Sequence, residues 1–185
     1  MSVITLLSGI DSNADAVIQN LVERTGFLLM TDEGLAQQAA DLSGIDFQTI
    51  LQAFSPKKSV FNTFTHEKET CISYLKLALA RNLHAADLIC YGYSGLLIPK
   101  TIPCLLSICL ISGQMQNTDK WRECAFCPTP PWDPSLHDMV ISMAALTPVS
   151  AVDGIVEALA QKQDKFSDMN ESFLNDFLLA AQTEA

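Results

Sequence analysis

Positive charge is scarce in this chain: 11 Lys and Arg stand against 21 Asp and Glu among 185 residues, for a formal net charge of −10. Proteins that grip nucleic acids gather Lys and Arg on one face, and eleven scattered cations make no such patch. The same shortage argues against an anionic membrane surface as a partner. An uninterrupted apolar run is also missing. The longest apolar stretch, residues 96–112, is broken by Pro99, Lys100 and Pro103, which excludes a membrane span there. Met1 runs straight into a strand-like segment, with neither the basic flank nor the small-residue cleavage site of a secretory signal. No internal repeat or low-complexity tract is visible. The six cysteines, Cys71, Cys90, Cys104, Cys109, Cys124 and Cys127, fall mostly inside hydrophobic segments. That placement suits buried free thiols in a reducing cytoplasm rather than a disulfide framework, so the expected location is cytoplasmic.

Hydrophobic residues are plentiful, at 49%, so a packed interior is expected rather than disorder. Strand and helix signals alternate. Val3-Ile4-Thr5-Leu6-Leu7 reads as a strand, and Ala14, Val17, Ile18, Leu21 and Val22 recur at helical spacing until Gly26. Phe27–Met30 predicts a second strand. Thr31 or Asp32 then caps a helix ending at Gly44, and 45–54 predicts another, stopped by Ser55-Pro56. A long helix is expected from about Asn62 to Leu83. Asp87–Tyr91 and Leu105–Ile111 are continuous apolar runs bounded by Gly and Pro, as strands covered on both faces require. Met139–Met143 reads as a fifth strand, Thr147-Pro148 as a helix start, and 167–182 as a closing amphipathic helix carrying Phe173, Leu174, Phe177 and Leu178. The pattern predicts a three-layer, doubly wound α/β domain on a parallel five-stranded sheet, with a ligand crevice at the carboxyl ends of the strands.

The turn after the first strand carries the most chemical information. Strand, glycine turn and helix are the parts of a phosphate-cradling loop, in which backbone N–H groups wrap phosphates and a lysine adds positive charge. Here the loop, Ser8-Gly9-Ile10-Asp11-Ser12-Asn13-Ala14-Asp15, has no lysine and two aspartates.

Set beside Thr31-Asp32-Glu33, Phe64-Thr65-His66-Glu67-Lys68-Glu69, Tyr91-Gly92-Tyr93-Ser94-Gly95 and Trp132–Ile141, that loop gives the chain a pattern that resembles the cytidylate kinase-like branch of the P-loop nucleoside monophosphate kinases. The likeness covers most of residues 1–162 and includes forms attached to bacterial regulatory domains. It implies a P-loop NTPase-like fold, ATP and Mg²⁺ as cofactors, and transfer of the ATP γ-phosphoryl group to CMP or a similar nucleotide. It further implies a cofactor loop of Gly9, Ser12, Asn13, Ala14 and Asp15, an acceptor side using Asp32, Arg81 and Tyr93, and Arg122 as the catalytic cation. In the family the loop presents glycine at Ala14 and a cation near Asp15. Two unit charges ~4 Å apart interact by ~4 kcal/mol at an effective dielectric of ~20, so the sign reversal at Asp15 weighs heavily against phosphate. The segment after the fourth strand offers only Lys120 and Arg122 where relatives carry a cation-bearing lid. The expected function is a degenerate nucleotide-binding or regulatory module with little phosphoryl transfer. Alternatives are an active but atypical kinase whose cation arrives from elsewhere, such as a partner subunit, and an interaction scaffold without a ligand.

Several residues carry two readings. Asp32 is either an acceptor-site acid or a helix cap, and Arg81 either a phosphate contact or a favourable charge near a helix C-terminus. Tyr91 and Tyr93 either stack on a base or pack at the sheet edge. Cys124-Ala125-Phe126-Cys127 supplies two of the four ligands of a zinc site, which His137 and Cys104 complete only if the fold brings them together. No metal site is expected. The division expected is 1–162 for the kinase-like domain and 163–185 for a C-terminal helix, packed on that domain or at a contact with a second copy or a regulatory partner.

Overall fold

The computed structural model describes residues 2–9, 12–55, 66–112, 129–166 and 170–185. Five strands, β1 (Val3–Ser8), β2 (Leu28–Thr31), β3 (Leu88–Tyr91), β4 (Leu105–Ile111) and β5 (Met139–Ser142), form one parallel sheet in the order β2-β3-β1-β4-β5. The central strand β1 sets the register, with Val3 opposite both Leu88 and Leu105.

Alternation along these strands explains the layers. In β1, Ile4 and Leu6 face one side with Ile89, Leu106, Ile108 and Leu110, while Val3 faces the other with Leu88, Cys90 and Leu105. Helices α1 (Ala14–Thr25) and α5 (Pro148–Phe166) cover the first side through Val17, Leu21, Val152 and Ile155. Helices α2 (Asp32–Ser43), α3 (Phe47–Gln52), α4 (Glu67–Ala85) and α6 (Asn170–Glu184) cover the second through Leu35, Ile50, Leu75, Leu79 and Phe177. The link from β1 to β2 runs over one face and the link from β2 to β3 over the other. Right-handed crossovers demand that split.

Local chemistry sets the helix ends. Thr31 Oγ1 accepts a hydrogen bond from the Gly34 N–H at 3.1 Å, so the last residue of β2 is also the cap of α2. Asp46 caps α3 by accepting from the N–H groups of Gln48 and Thr49. The long helix begins at Glu67, after His66 in a left-handed conformation with φ 49°. Residues 62–65, where the sequence pattern starts it, lie outside the described part.

The last helix packs on the second layer: Leu174, Phe177 and Ala181 are buried against the core shared with α4, and Lys76 pairs with Glu184 at 2.7 Å. Residue 162, where the expected division falls, lies inside α5. Among the described residues, no helix is long and apolar enough to cross a membrane. Cys71, Cys90, Cys104 and Cys109 are buried free thiols, and burial pushes the thiols of Cys90 and Cys109 up to about 12.

Candidate functional site

Every strand of the sheet delivers a residue to one cavity at its carboxyl edge. Leu7 and Ser8 come from β1, Thr31 from β2 and Tyr91 from β3, with Ser112 and Met143 just beyond β4 and β5. The cavity measures about 780 Å³, which falls within the size of small-molecule sites, roughly 300–1,000 Å³. Its place follows from topology: the chain leaves β1 in one direction and β3 and β4 in the other, and ligands bind where such a sheet changes direction.

One wall is the turn after β1. Gly9 N–H donates to Leu110 O at 3.0 Å, fixing the start of the turn to β4. Ser12 is fully buried, and its hydroxyl donates back to Gly9 O at 2.7 Å. Ser12 therefore closes the turn and is not among the cavity-lining residues, whereas Gly9, Asn13, Ala14 and Asp15 are. Asn13 adopts the left-handed conformation, φ 56°, that asparagine tolerates better than most residues, and leads into α1 without capping it by its side chain. The N-terminus of α1 thus keeps its positive dipole end, worth about 0.3–1 kcal/mol to an anion at a surface. Asp15, exposed in the first turn, opposes that attraction with a charge of the same sign as phosphate, an effect of similar size at an exposed position.

The opposite wall is built around Asp32. Its two carboxylate oxygens accept from the N–H groups of Tyr93 at 2.9 Å and Ser94 at 2.8 Å, at the start of a 3₁₀ turn over Tyr93–Leu97. Burial pushes the Asp32 carboxyl above its ordinary range, against the opposing pull of those backbone donors. Gly92 makes the contact possible. It has φ 120°, and a Cβ there would lie 2.4 Å from Asp32 Oδ2. Gly95, in the same turn, lies so close to β1 that a Cβ would meet Thr5 Cβ at 2.7 Å. Asp32 is therefore a clamp between the ends of β2 and β3, with both oxygens already engaged by backbone.

Tyr91 and Tyr93 flank Gly92 and both line the cavity. Tyr91 packs with the cluster under α1 and its hydroxyl lies 3.1 Å from Ser8 Oγ; Tyr93 packs with the opposite cluster. Neither a protein-family model nor a curated protein sequence matches the chain. Several solved structures are similar. An uncharacterized protein from Eubacterium ventriosum ATCC 27560 aligns with TM-score 0.57 and 14% identity over 86% of this chain and 99% of its own. Shikimate kinase from Aquifex aeolicus vf5 aligns with TM-score 0.45 and 11% identity, over 85% and 96%. At 14% identity the likeness to the first concerns the fold alone.

Arg81 is exposed in the last third of α4, near the end that feeds the start of β3, and is not among the residues lining the cavity. Helices between parallel strands run back toward the strands' amino edge, which accounts for its distance from the carboxyl edge. Arg122, Lys120, Cys124 and Cys127 lie outside the described residues, as do Ile10 and Asp11. His137 Nε2 lies 2.7 Å from Pro131 O, and burial lowers its tendency to protonate. Among the described residues, no three His, Cys, Asp or Glu side chains are placed to hold a metal ion. Sequence reasoning does not single out Ser112 and Met143; their only signal is a position just past one expected strand and at the last residue of another.

Charge completes the picture. The described lining holds three carboxylates, Asp15, Asp32 and Glu33, and no Lys, Arg or His. ATP with Mg²⁺, which the sequence resemblance implies, fits this lining poorly. The triphosphate would face Asp15 at the mouth of the turn, and no described side chain offers the cation that phosphate cradles use.

Proposed function

We propose that this chain is a ligand-binding regulatory domain on a nucleotide-kinase-like α/β fold that does not carry out efficient phosphoryl transfer. One observation carries the reading: the cavity at the carboxyl edge of the sheet presents carboxylates where phosphoryl transfer needs cations. That reaction depends on positioning and on stabilising negative charge on the transferred group. Asp15, Asp32 and Glu33 supply the wrong sign for it. The engagement of both Asp32 oxygens by backbone N–H groups also favours a structural part for this residue over contact with an acceptor nucleotide. Descent from the cytidylate kinase-like family is the ancestry that the order of motifs supports.

The test is an ATP-dependent assay of CMP phosphorylation with protein at concentrations comparable to substrate. The expected result is no conversion above the protein-free control. Robust turnover that disappears in Arg122→Ala would overturn the proposal and favour the atypical kinase.

A further inference from the structure

A second, apolar recess of about 510 Å³ opens beside the acidic cavity, walled by Ile18 and Val22 of α1 and Leu29 of β2. The two spaces share Asp15, Thr31 and Tyr91. Leu29 is 44% exposed in this recess, because β2 is an edge strand. The carboxylates of the larger cavity do not converge on a point, since no described trio of acidic, His or Cys side chains is placed to hold a metal ion. Dispersed negative charge, tyrosine walls and an adjoining apolar slot are complementary to an organic cation. Ammonium groups pair with carboxylates and lie favourably on aromatic faces, while methylene groups gain by leaving water.

We propose that the joined cavities bind a small organic amine, with its ammonium end at Asp15 and its apolar body along Ile18, Val22 and Leu29. The inference rests on the reading that this cavity has given up phosphoryl transfer, and it names the ligand class that takes the place of the nucleotide. Asp15 stands where the two spaces meet, so one ligand reaches the charge and the slot together. Tyr91, held beside Ser8, is an aromatic wall that both spaces share.

Calorimetric titration of the full chain with hexylamine, ethylamine and hexanoate tests this directly. Hexylamine is expected to bind at least about tenfold more tightly than ethylamine, given four additional methylene groups, and hexanoate not to bind. Asp15→Asn, an exposed change that leaves the core intact, is expected to weaken hexylamine about fivefold, the scale of one partly exposed charge pair. Val22→Ser is expected to shrink the chain-length advantage and leave ethylamine unchanged. Hexanoate binding as tightly as hexylamine, no saturable amine binding, or affinity indifferent to Asp15→Asn would each overturn the inference. Loss of amine binding in a protein that also fails to phosphorylate CMP defeats this inference alone; CMP turnover defeats the reading beneath it.

Discussion

Asp32 and Gly92 form a pair in which each residue dictates the other. The carboxylate lies over a glycine with φ 120°, where a methyl group would meet it at 2.4 Å. Gly92→Ala therefore adds both backbone strain and a clash, and is expected to lower stability by about 3 kcal/mol in urea unfolding. Asp32→Ala leaves the Tyr93 and Ser94 N–H groups without their acceptors and is expected to cost about 2 kcal/mol. Because the residues touch, Gly92→Ala should cost less in the Asp32→Ala background than alone, and additive costs would contradict the clamp. Two carboxylates respond to pH with opposite signs. Burial raises the Asp32 carboxyl, so its contribution to stability is complete below its unfolded value and is lost as pH rises through the folded one. At Asp138 burial opposes ionisation, but the Lys162 ammonium at 2.8 Å and the Ser107 donors outweigh it and lower the folded value. Its contribution is present above the unfolded value and lost as pH falls through the folded one. The stability gap between wild type and Asp138→Asn, about 1 kcal/mol at pH 7 for a partly exposed pair, should thus close in acid. A gap that widens below pH 4 would contradict that assignment.

At the scale of elements, the helices and strands were largely legible because apolar periodicity and caps agreed. Thr31, Asp46, Gly26 and Gly44 stop or start helices as their chemistry demands. The β2 segment shifted by one residue, to Leu28–Thr31, because Thr31 serves both the strand and the cap. The turn at Tyr93–Leu97 was not legible as a 3₁₀ element, since it exists through a long-range acceptor, Asp32, 61 residues away from Tyr93. The place of the closing helix was open as well: Phe173, Leu174, Phe177 and Leu178 show an apolar side but not what covers it, and the fold supplies α4. Phe177→Ala is expected to cost about 3 kcal/mol. Amide exchange should then rise across 170–184 before it rises in β1, as expected for a helix attached to one layer. Uniform acceleration throughout the chain would argue that α6 is inseparable from the sheet.

For the molecule as a whole, the position of the cavity was legible and the residues that line it only in part. Alternating strands and helices place a crevice at the carboxyl edge, and the loop residues Gly9, Asn13, Ala14 and Asp15 do line it. Ser12 and Arg81 could not be judged from spacing. A serine that folds back onto Gly9 and an arginine late in α4 look, in sequence, like residues that reach a ligand. The excess of acid over base across the chain is repeated in the described lining of the cavity, where it decides the chemistry. The most direct measurement of the central claim is a calorimetric titration of ATP–Mg²⁺ into the wild type and Asp15→Lys. No saturable binding is expected to the wild type, and measurable binding once residue 15 carries the opposite charge. Tight ATP binding to the wild type, weakened by Asp15→Lys, would contradict it.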